Sequence, residues 1–168
     1  EYGQVFKAAY DAATDALTDD TLTQEKIDET AKTLVAAYEA MIEHPYVHVT
    51  DAKITYQTAA KPLVGGYKDA ENGTIGDNNS ISVNLSGDKY SNYNDYNKIT
   101  LTSAALPEGA MYKAVEWSVV ESYKMDSSIS ESSITLTPSD RSNGGWAKVK
   151  ISYKDEYGRA FEKTINVT

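Results

Sequence analysis

The sequence predicts an α+β protein of segregated units, an N-terminal α-helical hairpin over residues 1–45 followed by an all-β sandwich over residues 46–168. Three observations carry this reading. Apolar residues recur every three or four positions as far as Ile42 and every second position after Pro45. Charge divides at the same place: residues 1–44 hold ten acids and three bases, net −7, while residues 45–168 net only −2. Pro45 also ends any helix that reaches it, because the residue before a proline avoids the α region.

In the first helix, EYGQVFKAAYDAATDAL, apolar groups at Tyr2, Val5, Phe6, Ala9, Ala13, Ala16 and Leu17 line one face, and the abundant alanine agrees by propensity. Asp19-Asp20-Thr21-Leu22 breaks it. Thr23 is placed to cap the second helix, with Glu25 near the positive end of its dipole, although Lys26 occupies the position where a full capping box has an acid. Ile27, Ala31, Leu34, Tyr38, Met41 and Ile42 form the expected buried line. A short connection makes the pair antiparallel and leaves part of its apolar stripe uncovered. A third helix before Glu1 is the favoured cover, docking on the following domain the alternative. The chain begins without Met and without a signal peptide, and so reads as a piece of something longer.

The stretch AAYDAATDALTDDTLTQEKIDETAKTLVAAYEAMI resembles the second and third helices of a FIVAR module. The resemblance covers about residues 5–42 and rests on the Ala-rich helix, the acidic turn, Thr-Gln-Glu and the closing helix. It implies an accessory unit of a large surface protein or secreted glycan-degrading enzyme of a Gram-positive bacterium.

Beyond Pro45 short alternating segments appear at 52–57, 80–85, 98–103, 113–119, 133–137, 146–153 and 160–167, rich in Thr, Val, Ile and Tyr and separated by turn residues. Seven strands without an intervening helix make a sandwich. In KAVEWSV the inward set is Val115, Trp117 and Val119, with Glu116 and Ser118 facing solvent, so Trp117 fills the space between sheets. The order ALPEGAMYKAVEWSV, SITLTP, GGWAKVKISYKDEYGRAFEKTINV resembles bacterial immunoglobulin-like domains of group 2 from about Ile99 to Thr168. That resemblance implies an immunoglobulin-like sandwich and a non-catalytic role as spacer, scaffold or adhesive surface. Residues 60–98 depart from the family's pattern by a longer polar insertion.

The totals narrow the chemistry. With 168 residues and a formal charge of −9, the chain lacks the basic patch that nucleic acid requires. The absence of cysteine excludes disulfides, thiol nucleophiles and cysteine-ligated zinc. No run approaches the ~20 apolar residues of a membrane span. Within SGDKYSNYNDYNK, Tyr90, Tyr93 and Tyr96 are candidates for an aromatic platform under a sugar. Asp88, Asn92, Asn94, Asp95 and Asn97 are weak candidates for calcium, since their order does not follow an EF-hand loop. His44 and His48 flank Pro45, which forbids the helix their spacing needs for a metal, and they read as linker residues. Lys53 and Asn166 raise an intramolecular amide bond, but alternation points both outward, away from the desolvation such chemistry needs. Asn72, Asn78, Asn84 and Asn166 match Asn-x-Ser/Thr and mark exposed loops or edges, and Asp155-Glu156 falls in a turn and reads as solvated.

No catalytic residue is assigned. The expectation is a monomeric, non-enzymatic extracellular module of a bacterial surface or secreted protein, a spacer, scaffold or adhesion unit. The alternative is a carbohydrate-binding accessory module, with cell-wall or host glycans or host proteins as partners and no nucleic acid or membrane insertion.

Overall fold

A computed structural model describes residues 2–63, 66–83, 97–139 and 145–168, with the backbone alone at 61–63 and 66–68. Contacts divide the chain into two units, Glu1–Val47 and His48–Thr168.

The first unit is a helical hairpin of α1 (Tyr2–Ala16) and α2 (Gln24–Glu43). Its helices run antiparallel: the Tyr2 ring stacks on His44 with centroids 4.3 Å apart, and Phe6 lies 6.0 Å from Tyr38. Between them the Asp19 carboxylate accepts from the Thr21 amide at 2.9 Å, and Thr23 Oγ1 caps α2 by accepting from the Lys26 amide at 3.3 Å. The seam differs from the expected line. Ala9 and Ala37 are its buried residues, with Phe6, Ala13, Leu34 and Met41 half-buried around them. Ile27, Tyr38 and Ile42 are exposed. Alanines at the crossing let the two backbones approach, and the bulkier groups are displaced to its flanks. Among the described residues no helix is long and apolar enough to cross a membrane.

The second unit is a two-sheet sandwich. Its described strands are β1 (Asp51–Thr58), β2 (Lys61–Leu63), β3 (Gly66–Lys68), β4 (Asn72–Thr74), β5 (Ser80–Ile81), β6 (Ile99–Leu106), β7 (Ala114–Tyr123), β8 (Met125–Ile129), β9 (Ser133–Pro138), β10 (Trp146–Lys154) and β11 (Ala160–Val167). Six of the expected segments match β1, β6, β7, β9, β10 and β11. Of the segment expected at 80–85 only Ser80–Ile81 is paired, while β2, β3, β4 and β8 are additional. One sheet has the order β4-β1-β6-β9-β8, the other β5-β11-β10-β7, and β2 and β3 form a separate hairpin. Every pairing in the two sheets is antiparallel except β5 with β11.

Alternate residues of both sheets meet in one core: Ile54, Leu101 and Leu136 from the first, Trp117, Ile151 and Ile165 from the second. Trp117 is 4% exposed, and Val115 and Val119 pack against the same cluster while Glu116 faces out and reaches Lys154 at 2.8 Å. The inward set expected for KAVEWSV is therefore the observed one. Among the described residues the Trp117 indole N–H meets no acceptor. Beyond Val119 the register of β7 on β10 slips: Val119 faces Val149, but Glu121 faces Lys148, so Val120 is an extra residue. The bulge turns Glu121 outward where strict alternation directs it into the core. A single residue, Lys124, with φ of 54°, then carries the chain from β7 in one sheet to β8 in the other.

Two strands set the poles of this unit. Lys163 on β11 donates to Asp51 Oδ1 at 2.8 Å and to the Ala52 carbonyl at 2.9 Å, and His48, ahead of β1, meets Arg159, ahead of β11, at 3.2 Å, so β1 and β11 start at the same end. β11 then runs to the far end, where the Thr168 amide donates to the Ile81 carbonyl at 3.0 Å. At about 3.3 Å per residue, its eight residues span roughly 25 Å.

Candidate functional site

The site lies where β10 turns into β11. Asp155 opens the turn: its amide donates to the Arg159 carbonyl at 2.9 Å, and Gly158, at φ 85°, supplies the left-handed residue that closes it. The carboxylate folds back into the turn, where Oδ1 accepts from the amides of Tyr157 at 2.9 Å and Arg159 at 2.8 Å. These two bonds fix the carboxyl plane and direct Oδ2 away from the turn. The Asp155 side chain is only 7% exposed, and among the described residues Oδ2 receives no hydrogen bond. Across the gap His48 Nδ1 lies 3.4 Å from it.

The opposite ring nitrogen, His48 Nε2, lies 3.2 Å from Arg159 Nη1. A guanidinium only donates, so Nε2 is the acceptor and the single ring proton is assigned to Nδ1, facing Asp155. Carboxylate, neutral imidazole and guanidinium thus form one row with opposite charges at its ends. Together with Val49, Met111, Tyr153, Ala160 and Phe161 they line an open cavity of about 230 Å³. Tyr153 anchors the apolar side: its hydroxyl donates to Ser103 Oγ at 2.8 Å, and its ring meets Tyr112 edge-on at 4.9 Å. Burial, helped by Tyr112 and opposed by the Ser103 bond, pushes the Tyr153 phenol above its ordinary value, so it stays neutral. The row offers one anionic acceptor and a fork of donors beside an apolar wall.

Two expectations are corrected here. His48 belongs to the sandwich and to this row, not to a linker, and His44 stacks on Tyr2 in the hairpin. Asp155 sits in a turn as expected, yet its carboxylate is buried because the turn's own amides draw it inward. Tyr90, Tyr93, Tyr96 and the calcium candidates Asp88, Asn92, Asn94 and Asp95 lie outside the described residues. Asn97 is described and 3% exposed. Among the described residues no three His, Asp or Glu side chains group as metal ligands. Lys53 and Asn166 are both exposed, as alternation required, and they lie on different sheets. No protein-family model matches the chain, and no curated protein matches it.

Proposed function

We propose that the chain is a non-enzymatic extracellular module of a bacterial cell-surface or secreted protein, serving as a spacer, scaffold or adhesion unit on a Gram-positive-type cell. The observation that supports it is the placement of β1 and β11. The polypeptide comes into the sandwich at one pole, beside His48, and β11 delivers it at the other, roughly 25 Å away. A unit threaded in this way extends a longer chain by its own length. Tension applied at its two ends loads β1 against β6 and β11 against β10 in shear, so many ladder hydrogen bonds resist together. The resemblances to a FIVAR module and to group 2 immunoglobulin-like domains support the same reading.

Force spectroscopy with handles at residues 48 and 168 tests it. The expected record is one abrupt event releasing about 400 Å of contour, from 121 residues at ~3.6 Å each less the folded span. Gradual lengthening at low force would remove the spacer reading.

A second reading, a carbohydrate-binding accessory module, as part of a glycan-degrading enzyme or alone, is favoured by the regular spacing of Tyr90, Tyr93 and Tyr96. Calorimetric titration with cell-wall and mucin glycans checks it: heat that a triple Tyr→Ala variant loses supports it, and no heat from any glycan removes it.

A further inference from the structure

We propose that the cavity between His48, Asp155 and Arg159 is a binding site for one neutral, hydroxylated ring, the terminal unit of a glycan. This site is separate from Tyr90, Tyr93 and Tyr96 and stands whether or not those tyrosines bind anything. Four features of the cavity select the ligand.

Asp155 Oδ2 is the first. It is a carboxylate oxygen on a side chain 7% exposed, held in place by two amide bonds to its twin, and among the described residues it accepts no hydrogen bond. Buried acceptors are satisfied in folded proteins, and one that lines a cavity and accepts no hydrogen bond calls for a ligand that supplies a closer donor. Its neighbour His48 Nδ1, at 3.4 Å, is too distant to serve as a good hydrogen-bond donor.

Charge is the second. The row carries one negative group, one positive group and a neutral imidazole, which sums to zero. A cation drawn to Asp155 meets Arg159 across the imidazole, and an anion drawn to Arg159 meets Asp155. A hydroxyl group meets neither penalty: one hydroxyl donates to Oδ2 while its neighbour accepts from the guanidinium, whose five N–H donors exceed what a single imidazole nitrogen takes. Adjacent hydroxyls on one ring supply both partners at once.

Third, the remaining wall is apolar. Val49 and Phe161 pack on the core from this side, and Met111 and Tyr153 complete the lining. A saturated sugar ring presents C–H groups on its face and hydroxyls at its rim, which suits a cavity with an apolar wall and a polar row. Fourth, about 230 Å³ is below the roughly 300–1,000 Å³ of drug-sized pockets and limits the occupant to a single ring.

The test uses the full chain and saturation-transfer NMR with the methyl glycosides of the common neutral hexoses and N-acetylhexosamines. Methylammonium and acetate serve as charged controls. At least one neutral glycoside is expected to receive saturation, with the charged controls silent. Asp155→Asn retains Oδ1 for the two turn amides and replaces Oδ2 by a donor, so it is expected to keep the melting temperature and weaken binding by roughly tenfold, the scale of one lost charge-assisted bond. Arg159→Gln gives a second, independent variant with the same expected loss. Amide shift perturbation in the unmodified chain, centred on Tyr157, Gly158 and Arg159, locates the site without any substitution. No neutral glycoside binding, binding by methylammonium alone, or binding that survives both variants but vanishes in the triple Tyr→Ala chain would each overturn the proposal. The last of these outcomes leaves the tyrosine reading standing while removing this one.

Discussion

Trp117 combines two opposed contributions, and substitution separates them. The indole is 4% exposed at the centre of the sandwich, packed against both sheets, while its N–H meets no acceptor among the described residues. Trp117→Ala deletes the whole ring and leaves a cavity, with a loss of about 3–5 kcal/mol. Trp117→Phe keeps a six-membered ring in place and gives up about two carbon positions, ~1.6 kcal/mol at ~0.8 kcal/mol for each buried methylene-sized group. It also removes a donor whose unsatisfied burial carries a penalty of ~1–3 kcal/mol. The two terms nearly cancel, so Trp117→Phe is expected within about 1.5 kcal/mol of the natural protein in either direction. At roughly 3–5 °C per kcal/mol for a unit of this size, the alanine variant melts roughly 9–25 °C lower and the phenylalanine variant shifts by less than about 8 °C. Both tryptophans, Trp117 and Trp146, belong to the sandwich, so in either variant the fluorescence of Trp146 follows that unit alone. A phenylalanine variant as damaged as the alanine variant would refute the reasoning, because it would mean that the N–H is bonded and contributes to stability.

Three further expectations concern separate parts of the molecule. The hydrogen bond from Lys163, then that from the Ala52 amide, holds the Asp51 carboxyl below its ordinary 3.8. A depressed folded value contributes stability above 3.8 that is lost as pH falls through the folded value, and Asp51→Asn should flatten that acid limb of an unfolding-midpoint titration by under ~1 kcal/mol for so exposed a pair; an unaltered limb would count against the link. Gly158→Ala places a side chain at φ 85° with open space around it, so strain alone is expected to lower sandwich stability by about 1–2 kcal/mol in the same fluorescence melt. Thr23→Ala removes the cap on α2 and should reduce hairpin stability by ~1 kcal/mol, seen as an earlier loss of helical circular dichroism with the tryptophan transition unmoved.

What could be read in advance follows from how burial is written into a chain. A long strand between two faces records its surroundings in alternate residues, and Ala147, Val149, Ile151 and Tyr153 are each buried as their spacing required. β2, β3 and β4 hold three residues each, too few to show a period. β8 holds Asp126, Ser127 and Ser128 between its two apolar ends and is the last described strand of its sheet, so it has no inward set to betray it. Periodicity placed α2 but not its azimuth, because Leu34, Val35, Ala36, Ala37 and Tyr38 offer apolar groups on several sides at once. The cavity was illegible for a different reason. Its His48–Arg159 contact joins positions 111 apart, and no local pattern encodes such a meeting. The one local signal was Asp-Glu-Tyr-Gly-Arg, an acid followed at the right distances by amides able to capture it.

The bulge at Val120 has a bearing on how such a unit behaves among its own copies. β7 is ten residues long and, among the described strands, forms one border of its sheet, with a row of backbone groups that no described strand pairs. A flat border of that length would invite sideways fusion of neighbouring copies into continuous sheets. The additional residue accentuates the coil of that border and interrupts its repeat, so that a second β7 laid against it falls out of step after a few bonds. Resistance to such pairing is thus written into one valine.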